Sequence, residues 1–159
     1  MLDSFVRIAP ELRRRHGGTW IAVTGPLMPY DEHQRLARLG EQRTVAVHRT
    51  VPELRSHVAV ADCVVAMPGY NTVCDVLSFQ RRAVFVPRQG PSQEQILRAR
   101  RLEEWGLAQV VLDPSAESLG LAIERAFAAP VPSTPPLRLM GLERALDFFD
   151  LTLNLVTTA

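Results

Sequence analysis

The sequence predicts an α/β fold in which a parallel sheet is flanked by helices, and three observations predict it. Short β-branched apolar runs alternate with stretches at helical spacing along residues 19–128. In the middle, Cys63-Val64-Val65-Ala66-Met67 reads as a buried strand, followed by a turn at Pro68-Gly69. A helical stretch from Asn71 then carries Val73, Val76, Leu77 and Phe79 on one side, and Ala83-Val84-Phe85-Val86-Pro87 follows the polar break Gln80-Arg81-Arg82. Strand, turn, helix, strand is a βαβ unit, whose natural hand lays both strands parallel in one sheet. The third observation is that Gly25 and Gly69 both close predicted strands at their carboxyl ends. Open α/β sheets collect ligands at that edge.

Taken in order, residues 2–15 place Leu2, Phe5, Val6, Ala9 and Leu12 at helical spacing, and His16-Gly17-Gly18 ends that helix. A doubly wound domain ordinarily opens on a strand, so this helical start is unusual. Residues 19–24 are a strand broken by Gly25-Pro26, and a plain turn explains Gly25 as well as a ligand site does. Residues 31–39 form a short amphipathic helix expected to end at Gly40, and residues 44–48 are the next strand. Pro52 suits the first turn of a helix running to about residue 61. After the central unit, a loop at residues 88–92 precedes a helix over 93–105 that opens Gln93-Glu94-Gln95 and stops at Gly106. A last strand covers 108–112 and a helix covers 117–128. Residues 129–136 hold four prolines and read as a linker. Residues 137–155 then read as a long helix whose stripe of Leu139, Leu142, Leu146, Phe149 and Leu153 needs a partner, which makes it a candidate surface for self-association.

The chemistry concentrates in the Gly69 turn. A glycine there lets a ligand approach the backbone, and the helix behind it offers unpaired N–H groups and a positive dipole end that suit a phosphate. Asn71 and Thr72 are placed to cap that helix or to bond an anion, and Asp75 lies one turn in, where it can accept from sugar hydroxyls. The plainer alternative, a tight turn followed by a capping-box variant, fits the spacing equally.

Composition narrows the class. At 159 residues and 47% hydrophobic, the chain is about one domain with a full core. A net charge of +1 gives no argument for nucleic acid or a strongly anionic surface, and no nucleic-acid partner is expected. All 18 basic residues are arginine. Cys63 and Cys74 lie in apolar surroundings and read as buried, reduced thiols; His16, His33, His48 and His57 show no ligand spacing. No carboxylate cluster suggests a divalent cation, so no metal or other cofactor is expected. The sequence shows neither a signal peptide nor an 18-residue apolar span, so a soluble cytoplasmic chain is expected.

The run from Pro68 to Leu107, PGYNTVCDVLSFQRRAVFVPRQGPSQEQILRARRLEEWGL, resembles the carboxyl-terminal donor domain of family 28 glycosyltransferases, among them the bacterial peptidoglycan N-acetylglucosaminyltransferase. The resemblance implies one half of a GT-B fold, in which two Rossmann-like domains face across a cleft and the second holds a nucleotide-sugar donor. It implies Gly69, Tyr70, Asn71 and Thr72 on the diphosphate, Asp75 on the ribose hydroxyls, and Thr50 and Val51 on the base. It also implies Glu94 and Gln95 on the donor sugar, with Gln93 as a stand-in. The chain has Asp75 where Glu is familiar, and Glu94 where the family carries glutamine. The resemblance further implies that the acceptor site and general base belong to an amino-terminal half outside this chain, so no catalytic residue is assigned within it. Residues 1–18 then correspond to a leading interdomain helix, 19–128 to the donor domain, 129–136 to the linker and 137–159 to a crossing helix. The implied partners are a UDP- or dTDP-sugar and an acceptor domain or subunit, which would bring the chain to the inner membrane surface. The alternatives are a non-catalytic nucleotide-sugar binding subunit and a UDP-sugar epimerase.

Overall fold

The computed structural model describes residues 1–90 and 92–132. Its elements are α1 (Leu2–His16), β1 (Ile21–Val23), α2 (Tyr30–Arg43), β2 (Ala46–His48), α3 (Leu54–Val60), β3 (Cys63–Ala66), α4 (Tyr70–Ser78), β4 (Arg82–Phe85), α5 (Glu94–Glu104), β5 (Gln109–Val110) and α6 (Ala116–Ala128). Every strand pairing is parallel. The single sheet expected from the βαβ spacing is divided into two ladders, β1-β2 and β3-β4-β5. Ile21 stands opposite Ala46 in the first; Cys63 faces Arg82 and Val84 faces Gln109 in the second. β1 and β3 do not lie side by side, so their edges exchange no ladder bonds.

Helices cover both faces, as alternating strands and helices require. On one face Phe5, Val6, Ala9 and Leu12 of α1 join Leu119, Ala122, Ile123 and Ala126 of α6 over Ala22, Val84, Val86 and Val111. On the other, Val58, Val73, Val76 and Leu77 join Ala99 and Leu102 over Ala83 and Phe85. β4 is the central strand of this core: Val84 faces the first cluster and Phe85 the second, by the period-2 alternation of a strand.

α1 runs opposite to the strands. At its amino end the Ser4 hydroxyl donates to Pro114 O (2.5 Å), just past β5. At its carboxyl end Arg13 donates to Thr44 O (3.3 Å), just before β2, while Arg15 and His16 meet Glu124 near the end of α6. These two contacts hold the Glu124 carboxyl below its ordinary pKa, with the His16 bond as the larger cause. Gly17, at φ 69°, turns the chain out of the helix. Ser115 caps α6, its hydroxyl oxygen accepting from Ser118 N at 3.0 Å.

Several local expectations need correction. α2 does not end at Gly40; it continues to Arg43 and closes on Thr44 at φ 57°. Gly40 is there for contact, because a Cβ at that position would lie 2.5 Å from Val47 Cγ2 and 2.7 Å from the Val45 carbonyl oxygen. The helix expected from Pro52 begins at Leu54, after a turn in which Glu53 adopts φ 47°. Arg82, read as part of a polar break, is the first residue of β4. The cysteines are free and half-buried rather than wholly enclosed. The predicted helix over 137–155 lies outside the described residues, as does most of the proline-rich linker.

Candidate functional site

The carboxyl ends of the strands form a rim that carries every sequence-predicted site residue. At its centre is the β3–α4 turn. Gly69 is the N-cap of α4, at φ −65° and ψ 153°, extended backbone that any residue adopts. A Cβ there would meet only Thr72 Oγ1, at 3.9 Å. Neither backbone conformation nor packing among the described residues therefore calls for glycine at this position. What the missing side chain leaves is open access to the helix terminus.

Among the described residues no side chain caps α4, so of the two uses open to Asn71 and Thr72, capping the helix or bonding an anion, the first is not made. The first backbone bond of the helix runs from Val73 N to Gly69 O (3.0 Å). The N–H groups of the preceding turn are thus the unclaimed donors found at any helix start. Tyr70 is 67% exposed and Asn71 is exposed, while Thr72 is half-buried.

Two arginines tie this turn to its neighbours. Arg98 of α5 donates to the carbonyl of the fully buried Pro68 at 2.7 Å and also pairs with Glu94. Through Arg98 the start of α5, with Gln93, Glu94 and Gln95, is held beside the Gly69 turn. Gln95 Oε1 accepts from Arg88 N (2.9 Å), which ties the start of the loop leaving β4 to the first turn of α5. On the other side Arg55 of α3 donates to Asp75 Oδ1 at 3.0 Å, and its guanidinium lies 5.0 Å from the centre of the Phe79 ring. Asp75 therefore has a protein partner of its own, on the helix that follows Thr50 and Val51.

The remaining corner belongs to β1 and β2. Gly25, at φ 84°, donates its N–H to Arg49 O (3.0 Å), which joins it to the segment carrying Thr50 and Val51. Arg49 in turn donates to Pro26 O at 2.8 Å. The rim thus gathers the predicted residues into two linked groups, with Arg55 spanning from the base-side segment to Asp75. The sequence reading missed Arg55 and Arg98. Arg98 left a signal, standing four residues after Glu94 on a helix, the spacing of an ion pair; Arg55 left none.

Chemically the rim offers backbone donors and a positive helix end at Gly69–Thr72, a carboxylate at Asp75 and an amide and carboxylate at the head of α5. An anion followed by hydroxyl-bearing groups suits that order. Among the described residues no three of His, Cys, Asp and Glu gather closely enough to hold a metal ion, and no helix is long and apolar enough to cross a membrane.

A solved structure, the crystal structure of the glycotransferase of kitacinnamycin, superposes with a TM-score of 0.64 at 20% sequence identity, over 80% of this chain. This chain spans 31% of that one. The fold is that of one half of a GT-B glycosyltransferase. No curated protein matches the chain. Residues 7–130, most of its length, match the glycosyltransferase family 28 C-terminal domain, and the chain belongs to that family.

Proposed function

We propose that the domain is the donor-binding half of a glycosyltransferase that takes a nucleoside-diphosphate sugar, a UDP- or dTDP-sugar, and serves an acceptor hydroxyl held by another half. The observation that carries this reading is Gly69: among the described residues neither conformation nor packing requires its glycine and no side chain caps the helix start it fronts, and it sits in a chain of this family. The diphosphate bonds the N–H groups of Tyr70, Asn71 and Thr72. Asp75 accepts from the ribose, Thr50 and Val51 meet the base beside Gly25, and Glu94 and Gln95, with Gln93, read the sugar.

The domain's share of the chemistry is electrostatic. As the glycosidic bond breaks, charge develops on the leaving diphosphate, and a helix terminus already aimed at it stabilises that charge without reorganising. The general base belongs to the acceptor half, a domain or partner subunit. Apolar side chains around the rim support a facing surface: Met67 is 48% exposed and Leu97 66%.

Calorimetric titration with UDP, dTDP, GDP and NAD, beside an Asp75→Ala variant, tests the reading. Selective binding of one nucleoside diphosphate, weakened about tenfold or more by the substitution, is the expected result. Binding of none, or of NAD alone, overturns it.

A further inference from the structure

The division of the sheet carries information of its own. On β1, Trp20 O accepts from Ala46 N and Thr24 N donates to His48 O, both at 2.9 Å. Residues of a parallel strand bond alternately to the two sides, so Trp20, Ala22 and Thr24 face β2 while Ile21 and Val23 turn their N–H and C=O groups to the opposite edge. On β3, Ala66 O accepts from Val86 N at 2.9 Å on the β4 side. By the same alternation Cys63 and Val65 turn theirs away from β4. Among the described residues, two edges of unpaired backbone thus belong to a single sheet layer.

That they belong to one layer follows from the packing. Ala22 of β1 and Cys63 and Val65 of β3 lie in the same hydrophobic cluster, under α1 and α6. Both strands are under-covered for their place. An interior strand of a parallel sheet is buried on both faces, as β4 nearly is. All four residues of β3 are only half-buried, and Ile21 of β1 is 41% exposed.

One additional strand between β1 and β3 would give the order β2-β1-X-β3-β4-β5. If X came ahead of β1 in sequence, this would be the 3-2-1-4-5-6 order of a doubly wound dinucleotide-type domain. Each of α2 to α6 follows a strand; among the described residues α1 follows none. A parallel strand in the gap would end at the carboxyl rim, where α1 begins beside Pro114. X, α1 and β1 would then form one more right-handed βαβ unit.

We propose that the gap between β1 and β3 is a docking slot for one extended apolar strand, parallel to both, supplied by the polypeptide that carries the acceptor half. The identity of that polypeptide rests on the proposed function; the slot rests on the ladders alone. The strand bonds the backbone of Ile21, Val23, Cys63 and Val65, and its side chains alternate between the two helical layers.

Amide hydrogen exchange tests this without any nucleotide, so its failure is separate from failure of the donor reading. In the 159-residue chain the amides of Ile21, Val23, Cys63 and Val65 are expected to exchange at least about a hundredfold faster than those of Ala22, Val64 and Val84. A second form carries ahead of Met1 a strand of about five valines and isoleucines, joined by a glycine-containing loop of about three residues. It is expected to protect the four slot amides and raise the melting temperature, whereas the same extension with a central proline does neither. Equal protection of slot and ladder amides in the original chain at low concentration overturns the proposal. So does protection that appears only as concentration rises, which assigns the edges to a second copy. Equal effects of the two extensions overturn it as well.

Discussion

Gly69→Ala separates a glycine kept for the fold from one kept for a ligand. Two stability effects act on the substitution and they oppose each other. Alanine lowers the entropy of the unfolded chain, which stabilises by about 0.4–1 kcal/mol where the native backbone tolerates it, and φ −65° does. Alanine is a poorer N-cap than glycine, which costs about 0.5–1 kcal/mol. The added Cβ meets only Thr72 Oγ1 at 3.9 Å, an ordinary contact, so packing adds nothing to either side. The net change is within about 0.5 kcal/mol, a shift in melting temperature of no more than about 2 °C for a chain of this size. Ligand binding behaves differently, because the methyl group stands on the approach to the first-turn N–H groups. Loss of one charge-assisted bond there weakens a nucleoside diphosphate by about tenfold or more, at least about 1.4 kcal/mol. Thermal denaturation and calorimetric titration of the same preparation measure both quantities. Unchanged affinity would refute the reasoning outright. A melting temperature lowered by about 5 °C or more would show instead that the fold requires this glycine.

Gly40→Ala is expected to behave in the opposite way. Alanine suits a helix interior by about 1 kcal/mol. Its Cβ would overlap Val47 Cγ2, which can move, and the Val45 carbonyl, which is backbone and cannot; overpacking of this kind costs about 1–3 kcal/mol. A lower urea midpoint with unchanged nucleotide affinity is the predicted outcome. Although Cys63 as a residue is only half-buried, its thiol packs against the core under α1 and α6, and this desolvation pushes it up to about 12, against roughly 8.5 when unfolded. Above the unfolded value the unfolded chain gives up a proton that the folded chain retains, so stability falls as pH rises from about 8.5 towards 12, by at most about 1.4 kcal/mol per pH unit. Denaturant midpoints measured from about pH 7 to 10 should fall in the natural protein and fall less in Cys63→Ala.

Local pattern carried most of the architecture. The alternation of β-branched runs with helical spacing specified an α/β fold, because periods of 2 and 3.6 are written residue by residue. Glycine at the ends of strands marked the rim, and the run from Pro68 to Leu107 identified the family. Features that depend on residues far apart in the chain were not legible. Gly40 looked like a helix stop because a glycine's local signal is the same whether it ends a helix or lets β2 pass close to it; only the approach of Val45 and Val47 distinguishes them. Arg55 and Arg98 drew no role from the sequence, since their partners, Asp75 and the Pro68 carbonyl, lie 20 and 30 residues away along the chain. The divided sheet was invisible as well, since each strand has a sound local pattern and a gap between two of them is a property of the assembled layer. The sequence by itself determined which elements form and where a ligand edge lies, because those are set by neighbours along the chain. Tertiary structure alone decided that Gly69 stands open among the described residues, which arginines hold the rim together, and that β1 and β3 turn towards one another edges that no described residue pairs, because those depend on how distant segments pack.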